Sequence, residues 1–356
     1  MKHRVLAFIV ALLACPGATS AAEPVRVTPT DPSPLSATEK LIERQLSPLD
    51  AARVLRKIHD LGVADALGLQ DLAAEKLLVR VPSKAGPDGR YGLLVFMDPR
   101  PKARMDPQLN NVLDGSGLIW ISPDNAGDDA NELERRIPLA LLAYEYVRKN
   151  YDLDPDRVYL AGSAGGSRLA QRLLFTYPDV FTGAIVDSGA AELGTRGLPV
   201  PADSLLEQLR TRSRIAFATS KHDQPAFSEQ QRALKSMRAY CMPVARVFDN
   251  GHTVEGHASL TPVLLFDALK IFEAPHDPEQ GADAACAQSL RQGALAELAR
   301  IRQLDVEGNR AGALNALVEF DYAYGRLLPD EEIALAKQLK PEFFGTSTEP
   351  AAQSTN

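Results

Sequence analysis

The chain has 356 residues, 45% hydrophobic and 24% charged, an ordinary globular composition that excludes disorder, collagen, coiled coil and a disulfide-dense mini-scaffold. Lys+Arg 39 against Asp+Glu 46 leaves a formal charge of -7, so there is no basic footprint for phosphates and nucleic acid is not expected as a partner. The length fits one large α/β domain with an annex, or two domains.

In chain order, residues 1–22 carry the basic start Lys2-His3-Arg4, an apolar run from Val5 to Ala14, and the small residues Thr19-Ser20-Ala21-Ala22. This reads as a secretory signal cleaved after Ala22, which makes the mature protein exported, periplasmic or extracellular. A rival reading takes Leu12-Leu13-Ala14-Cys15 as a lipobox with Cys15 lipidated; Pro16 directly after it weighs against that. The apolar run falls short of the roughly 20 residues that span a bilayer, and no later stretch is longer, so no transmembrane segment is expected. Loss of the signal leaves Cys241 and Cys286, a pair expected to form a disulfide in an oxidising compartment; two buried thiols are the alternative.

Residues 23–36, rich in Pro, Thr, Ser and Asp, read as a flexible leader. A helical stretch follows over 37–67. The β-rich runs 76–81 and 91–97 flank Pro87-Asp88-Gly89, a hairpin signal, and 117–122 is a third strand. Residues 133–150 have the spacing of a helix with one buried face. Strand and helix then alternate: strand 157–161, helix 168–176, strands 183–187 and 214–219, helix 228–240, strand 244–248 and helix 260–272. That rhythm predicts an α/β fold, a doubly wound and mainly parallel sheet over 37–275. In 276–344 the strands stop, and helices at 286–304, 310–324 and 330–339 form a helical annex. Its stripe of Ala294, Leu298, Ile301, Leu314, Leu317 and Val318 must dock, either on the main domain or on an envelope protein partner. Residues 345–356 are expected to be a disordered tail.

The informative segment is Arg157-Val-Tyr-Leu-Ala-Gly-Ser-Ala-Gly-Gly-Ser-Arg-Leu-Ala170, a strand, a turn of small residues and a helix. This is the setting of a nucleophile elbow, where small residues two before and two after a strained position let strand and helix approach. Together with Tyr151-Asp-Leu-Asp-Pro-Asp-Arg-Val-Tyr159 and Tyr177-Pro-Asp-Val-Phe-Thr-Gly-Ala-Ile-Val-Asp-Ser-Gly189, it gives 76–272 a resemblance to a known family. The stretch is similar to α/β-hydrolase-fold esterases of the polyhydroxybutyrate-depolymerase and feruloyl-esterase type. The resemblance implies that fold and hydrolysis of carboxylic esters, polyesters or acylated sugars.

Two registers compete. With Ser163 as nucleophile the motif is Ala161-Gly162-Ser163-Ala164-Gly165, and the Ala164 N–H is one oxyanion donor. With the family's spacing kept from Arg157, the motif is Gly162-Ser163-Ala164-Gly165-Gly166, and Ala164 stands where the hydroxyl belongs. A one-residue slip would reverse the faces of a strand, and the flanking glycines favour Ala164 as the centre. Ser167 reads as a helix-start residue.

The resemblance puts the acid and histidine after the nucleophile, so His222, His252, His257 and His276 qualify. His252, in Phe248-Asp-Asn-Gly-His252, fits the family's histidine loop, with His257 as fallback. Asp223 is the acid candidate and Asp187 the alternative, giving the order Ser163, Asp223, His252. The second oxyanion donor would come from Asp98-Pro99-Arg100-Pro101, but the prolines have no N–H and Asp98 brings the wrong charge unless Arg100 neutralises it. No metal-ligand spacing, phosphate loop or dinucleotide fingerprint occurs, so no metal and no cofactor is expected. Two functions stand: a serine hydrolase acting through Ser163, and a pseudohydrolase that kept its pocket as a binding surface, the annex meeting an envelope protein.

Overall fold

The computed structural model describes residues 23–63, 67–69, 71–242, 246–248, 260–275 and 283–341. Eight strands form one sheet in the order β1-β2-β4-β3-β5-β6-β7-β8: β1 (Val25–Val27), β2 (Leu77–Arg80), β3 (Tyr91–Met97), β4 (Leu118–Pro123), β5 (Leu153–Ser163), β6 (Gly183–Asp187), β7 (Arg214–Phe217) and β8 (Arg246–Val247). From β4 to β8 every pairing is parallel, while β1 and β2 join antiparallel. The central strands are apolar without alternation, as in Leu93-Leu94-Val95-Phe96-Met97, because helices cover both faces.

One face carries α4 (Ile137–Asn150), α5 (Gly165–Thr176), α6 (Asp203–Thr211) and α7 (Gln224–Ala239), which pack Leu141, Leu173, Leu209 and Met237 over Leu93, Val95 and Leu160. The other face is closed by α3 (Asn110–Ser116) and α8 (Pro262–Phe272), whose Leu113, Leu265 and Leu269 meet Leu94, Trp120 and Ala161. This is the doubly wound sheet expected from the strand–helix rhythm.

Three local expectations are corrected. Runs 76–81 and 91–97 do not form a hairpin: β2 pairs with β1 and β4, and β3 lies between β4 and β5. Gly86 and Arg90 close a local turn, Gly86 N–H to Arg90 C=O at 2.8 Å, but a connection this long leaves the strands free to part. The stretch 23–36 is an edge strand and a 3-10 turn rather than a flexible leader. Val25–Val27 pairs with Leu77–Val79, and Arg26 reaches Asp124 at 2.8 Å. Residues 37–67 do not make one helix; α1 (Thr38–Gln45) and α2 (Pro48–Leu61) are separated because Pro48 forces Ser47 into an extended conformation, ψ 161°.

The annex contains helices Ala284–Val306, Arg310–Tyr324 and Pro329–Leu339. Ala294, Leu298, Ile301 and Leu317 are buried in one cluster with the main core, and Val318 stays exposed. Asp321 accepts hydrogen bonds from Ser47 Oγ and Leu49 N–H at the start of α2, and Arg326 donates to the Leu46 carbonyl. Cys241 and Cys286 are disulfide-bonded, tying the end of α7 to the first annex helix. Residues 1–22, the expected signal with Cys15, and 345–356, the expected tail, lie outside the described residues.

Candidate functional site

The expected elbow lies at the carboxyl end of β5. Ser163 is the last residue of the strand, Gly165 the first of α5, and Ala164 between them has φ 54° and ψ -123°. A positive φ costs an alanine backbone energy, so the surrounding structure must hold this bend in place. Two contacts explain how it closes. A Cβ on Gly162 would come 2.3 Å from the Gly166 carbonyl oxygen, and one on Gly166 would come 2.0 Å from the Met97 carbonyl oxygen. The two positions where only glycine fits are therefore two before and two after Ala164.

Ser163 is engaged in the sheet. It pairs with Asp187 of β6, its side chain is buried, and its Oγ lies 3.3 Å from Asp187 Oδ2. The Ala164 N–H, expected as an oxyanion donor, continues the β5–β6 ladder instead and donates to the Asp187 carbonyl at 3.0 Å. This corrects that expectation: an amide already committed to the sheet is not available to a developing oxyanion. Asp187 also accepts from Ser188 Oγ at 3.1 Å, where Ser188 itself has φ 58°. Ser167 Oγ lies against the carbonyls of Ala164 and Gly189, a helix-start arrangement.

The next amide, Gly165 N–H, points at a residue the sequence reading missed. It donates to Asp128 Oδ2 at 3.2 Å, and the other carboxylate oxygen accepts from Arg136 Nη2 at 2.8 Å. Arg136 is buried and its Nε donates to the Ala126 carbonyl. A Cβ on Gly165 would fall 2.4–2.6 Å from the Asp128 carboxyl atoms, so the absence of a side chain at 165 is what admits the carboxylate. Asp128 follows β4, and Arg136 ends a π-helical turn, Glu132–Arg136, just before α4. A carboxylate suits this location, the amino end of a helix.

Asp98, directly after β3, is buried. It accepts from the Arg100 backbone N–H at 3.0 Å, from Arg100 Nε and Nη2 at 2.8 Å each, and from the Arg104 N–H at 3.1 Å. Arg100 thus supplies the neutralising cation, and the carboxylate in turn holds that guanidinium above its ordinary pKa. Both amides of this loop that face Asp98 are consumed by it.

Asp223 caps α7, its carboxylate accepting from Ala226 N–H at 3.2 Å, and His222 beside it is exposed. His252, His257 and His276 lie outside the described residues. Among the described residues, no three His, Cys, Asp or Glu side chains come together as metal ligands, and no helix is long and apolar enough to cross a membrane. The structure thus brings Ser163, Asp187, Gly162, Ala164, Gly165 and Gly166 to one bend, with Asp128 and Arg136 added from across the sheet edge.

No protein-family model and no curated protein matches the chain. Solved structures do, remotely. A thermostable esterase is 16% identical over 56% of this chain and 58% of its own, with a TM-score of 0.41. For a ferulic acid esterase the figures are 16%, 56%, 91% and 0.44, and for the S-formylglutathione hydrolase of Staphylococcus aureus 15%, 55%, 90% and 0.41. A dipeptidyl aminopeptidase IV candidate from Bacteroides ovatus is 14% identical with a TM-score of 0.40, and the match spans only 33% of that longer chain. Likenesses this distant transfer neither chemistry nor substrate. The architecture rests on the chain's own strand order and on the bend after its fifth strand, and that architecture is an α/β-hydrolase fold.

Proposed function

We propose that this chain is an exported α/β-hydrolase-fold protein that has lost ester hydrolysis and retains the elbow end of the sheet as a binding site. The observation that carries the reading is the backbone of Ala164. Attack on an acyl carbon requires a hydroxyl held on the strained bend at the sheet edge, and the strained residue, φ 54°, has a methyl group. Ser163, one residue earlier, points along the β5–β6 pairing to Asp187.

The electrostatics favour the same reading. A tetrahedral intermediate needs donors aimed at a growing negative charge. Here the amide after the bend, Gly165 N–H, already holds a carboxylate. An oxyanion would meet that charge head-on. Export is supported by the signal-like residues 1–22 and by the disulfide Cys241–Cys286, a bond that persists in oxidising compartments. The annex stripe expected to meet an envelope protein is largely buried within this chain, which weighs against the annex as the binding surface.

A fluorophosphonate probe with mass mapping tests the proposal. The expected result is no labelled serine in the full-length protein. Labelling at Ser163 that disappears in Ser163→Ala would overturn it, and would make Ser163 the nucleophile of an active esterase.

A further inference from the structure

The edge of the sheet opposite the elbow holds a cavity of about 540 Å³, where β5 and β6 begin and α8 ends. That volume falls among small-molecule pockets, about 300–1,000 Å³. From Arg157 to Ala164 the chain runs along β5 at about 3.3 Å per residue, which sets this cavity roughly 20 Å from the bend. The turn Pro87-Asp88-Gly89, which joins no hairpin, has a place here, since Pro87 and Asp88 form one wall. Glycine at 86 makes the fit possible: a Cβ there would come 2.5 Å from Arg157 Nη1.

Two polar groups at the floor lack a partner. Tyr159 is 1% exposed, and its hydroxyl makes no well-formed hydrogen bond. Arg157 donates through Nε and Nη2 to Glu273 Oε1, at 2.9 and 2.7 Å, and through Nη2 to the Ser116 carbonyl at 2.5 Å. Its buried Nη1 has no acceptor among the described residues. The charges that bear on the phenol are those of Glu273, Arg157 and Asp154, all in the cavity wall, so the hydroxyl lies on the cavity side of its ring. Burial raises the pKa of the phenol, and it stays a donor. Buried donors are as a rule paired, so two in one cavity mark the place of a missing acceptor.

The wall decides what can supply it. Four carboxylates, Asp88, Asp154, Asp156 and Glu273, stand against two guanidinium groups, Arg157 and Arg212, and this balance repels an anion. An ammonium ion suits the carboxylates but gives Arg157 Nη1 and the Tyr159 O–H nothing to donate to. A hydroxyl does both, its oxygen accepting from the buried donors and its proton going to a carboxylate. Glu273 has that capacity, because Arg157 engages only Oε1 and among the described residues Oε2 accepts nothing. Pro87, Phe272 and Pro275 add apolar surface for C–H groups.

We infer that this cavity binds a neutral sugar, a mono- or disaccharide, one of whose hydroxyls accepts from Tyr159 and Arg157 and donates to Glu273. No residue of the elbow lines the cavity, so the inference holds whether or not Ser163 is reactive.

The oxidised full-length protein is titrated by calorimetry with D-glucose, D-galactose, D-xylose and maltose, with sodium acetate and tetramethylammonium chloride as the anion and cation controls. Saturable heat is expected with at least one sugar and with neither control. Tyr159→Phe, which removes only the hydroxyl, should weaken that binding at least fivefold, its folding being checked by thermal melting. Should it fail to fold, Glu273→Ala takes its place with the same weakening expected, since that side chain is 37% exposed and is not part of the core. No saturable heat with any of the four sugars overturns the inference. So does sugar binding unchanged in the folded variant, which would put the sugar elsewhere, and so does a response to acetate or tetramethylammonium as strong as that to sugar.

Discussion

Glu332 offers the sharpest quantitative test of how the annex is held. It lies in the last annex helix with its carboxyl fully buried and no well-formed hydrogen bond to either oxygen. Burial is the main cause of its displaced titration, the neighbouring carboxylate of Asp321 adds to it, and Arg326 only partly opposes; together they push its pKa up to about 10 from 4.5. Burial raises the pKa of Asp321 as well. The folded chain therefore keeps Glu332 protonated at a pH where the unfolded chain ionises it. Below pH 4.5 both states hold the proton and nothing is lost. As pH rises from there toward 10, stability falls by about 1.4 kcal/mol per unit. Between pH 5 and pH 8 this amounts to roughly 4 kcal/mol. Glu332→Gln keeps the shape and removes the titration. Urea unfolding of the oxidised parent and variant at pH 5, 6.5 and 8 should show the variant gaining on the parent by several kcal/mol across that range. A stability difference that stays constant with pH would refute the assignment of a neutral carboxyl at 332.

Restoring the hydroxyl at the bend should not suffice. Ala164→Ser is expected to remain inert toward p-nitrophenyl acetate, while Ala164→Ser with Asp128→Ala gains measurable turnover; freeing one oxyanion donor is worth about a hundredfold or more in rate. Equal rates for the single and double variants would show that Asp128 does not block the site. Cys241→Ser removes a cross-link between residues 45 apart in sequence, and chain entropy puts the loss at about 4 kcal/mol. Urea midpoints of parent and variant check it, and a shift no larger than that produced in the parent by reduction of the disulfide is expected.

The fold was legible where local pattern and tertiary demand agree. Strands such as 183–187 and 214–219 are short apolar runs between helical stretches, and a sheet covered on both faces needs that composition. The hairpin misreading came from trusting a turn: Pro87-Asp88-Gly89 does mark a reversal, but which strand β2 pairs with depends on residues 118–123, far along the chain. Val25–Val27 was hidden because three residues among prolines and threonines carry no readable period.

At the site, the glycine spacing around Ala164 was legible, since close approach leaves a mark on composition. Asp128 and Arg136 left none. Their meeting with Gly165 joins two loops at the sheet edge, and no motif in Asn125-Ala-Gly-Asp128 announces it. Asp223 carried a signal that could have been read differently: an aspartate followed two residues later by proline is a helix start, and capping is the role it fills in the structure.

The seam between Asp321 and the start of α2 has a consequence for where this molecule can be cut. The Leu49 amide that opens a helix near the amino end, and the Ser47 hydroxyl just before it, are held by a side chain contributed some 270 positions later. A fragment trimmed before the annex would lose the partner of this helix start and the packing of the last helix against α2. Versions shortened before the annex are therefore expected to be sticky and more protease-sensitive than the whole chain.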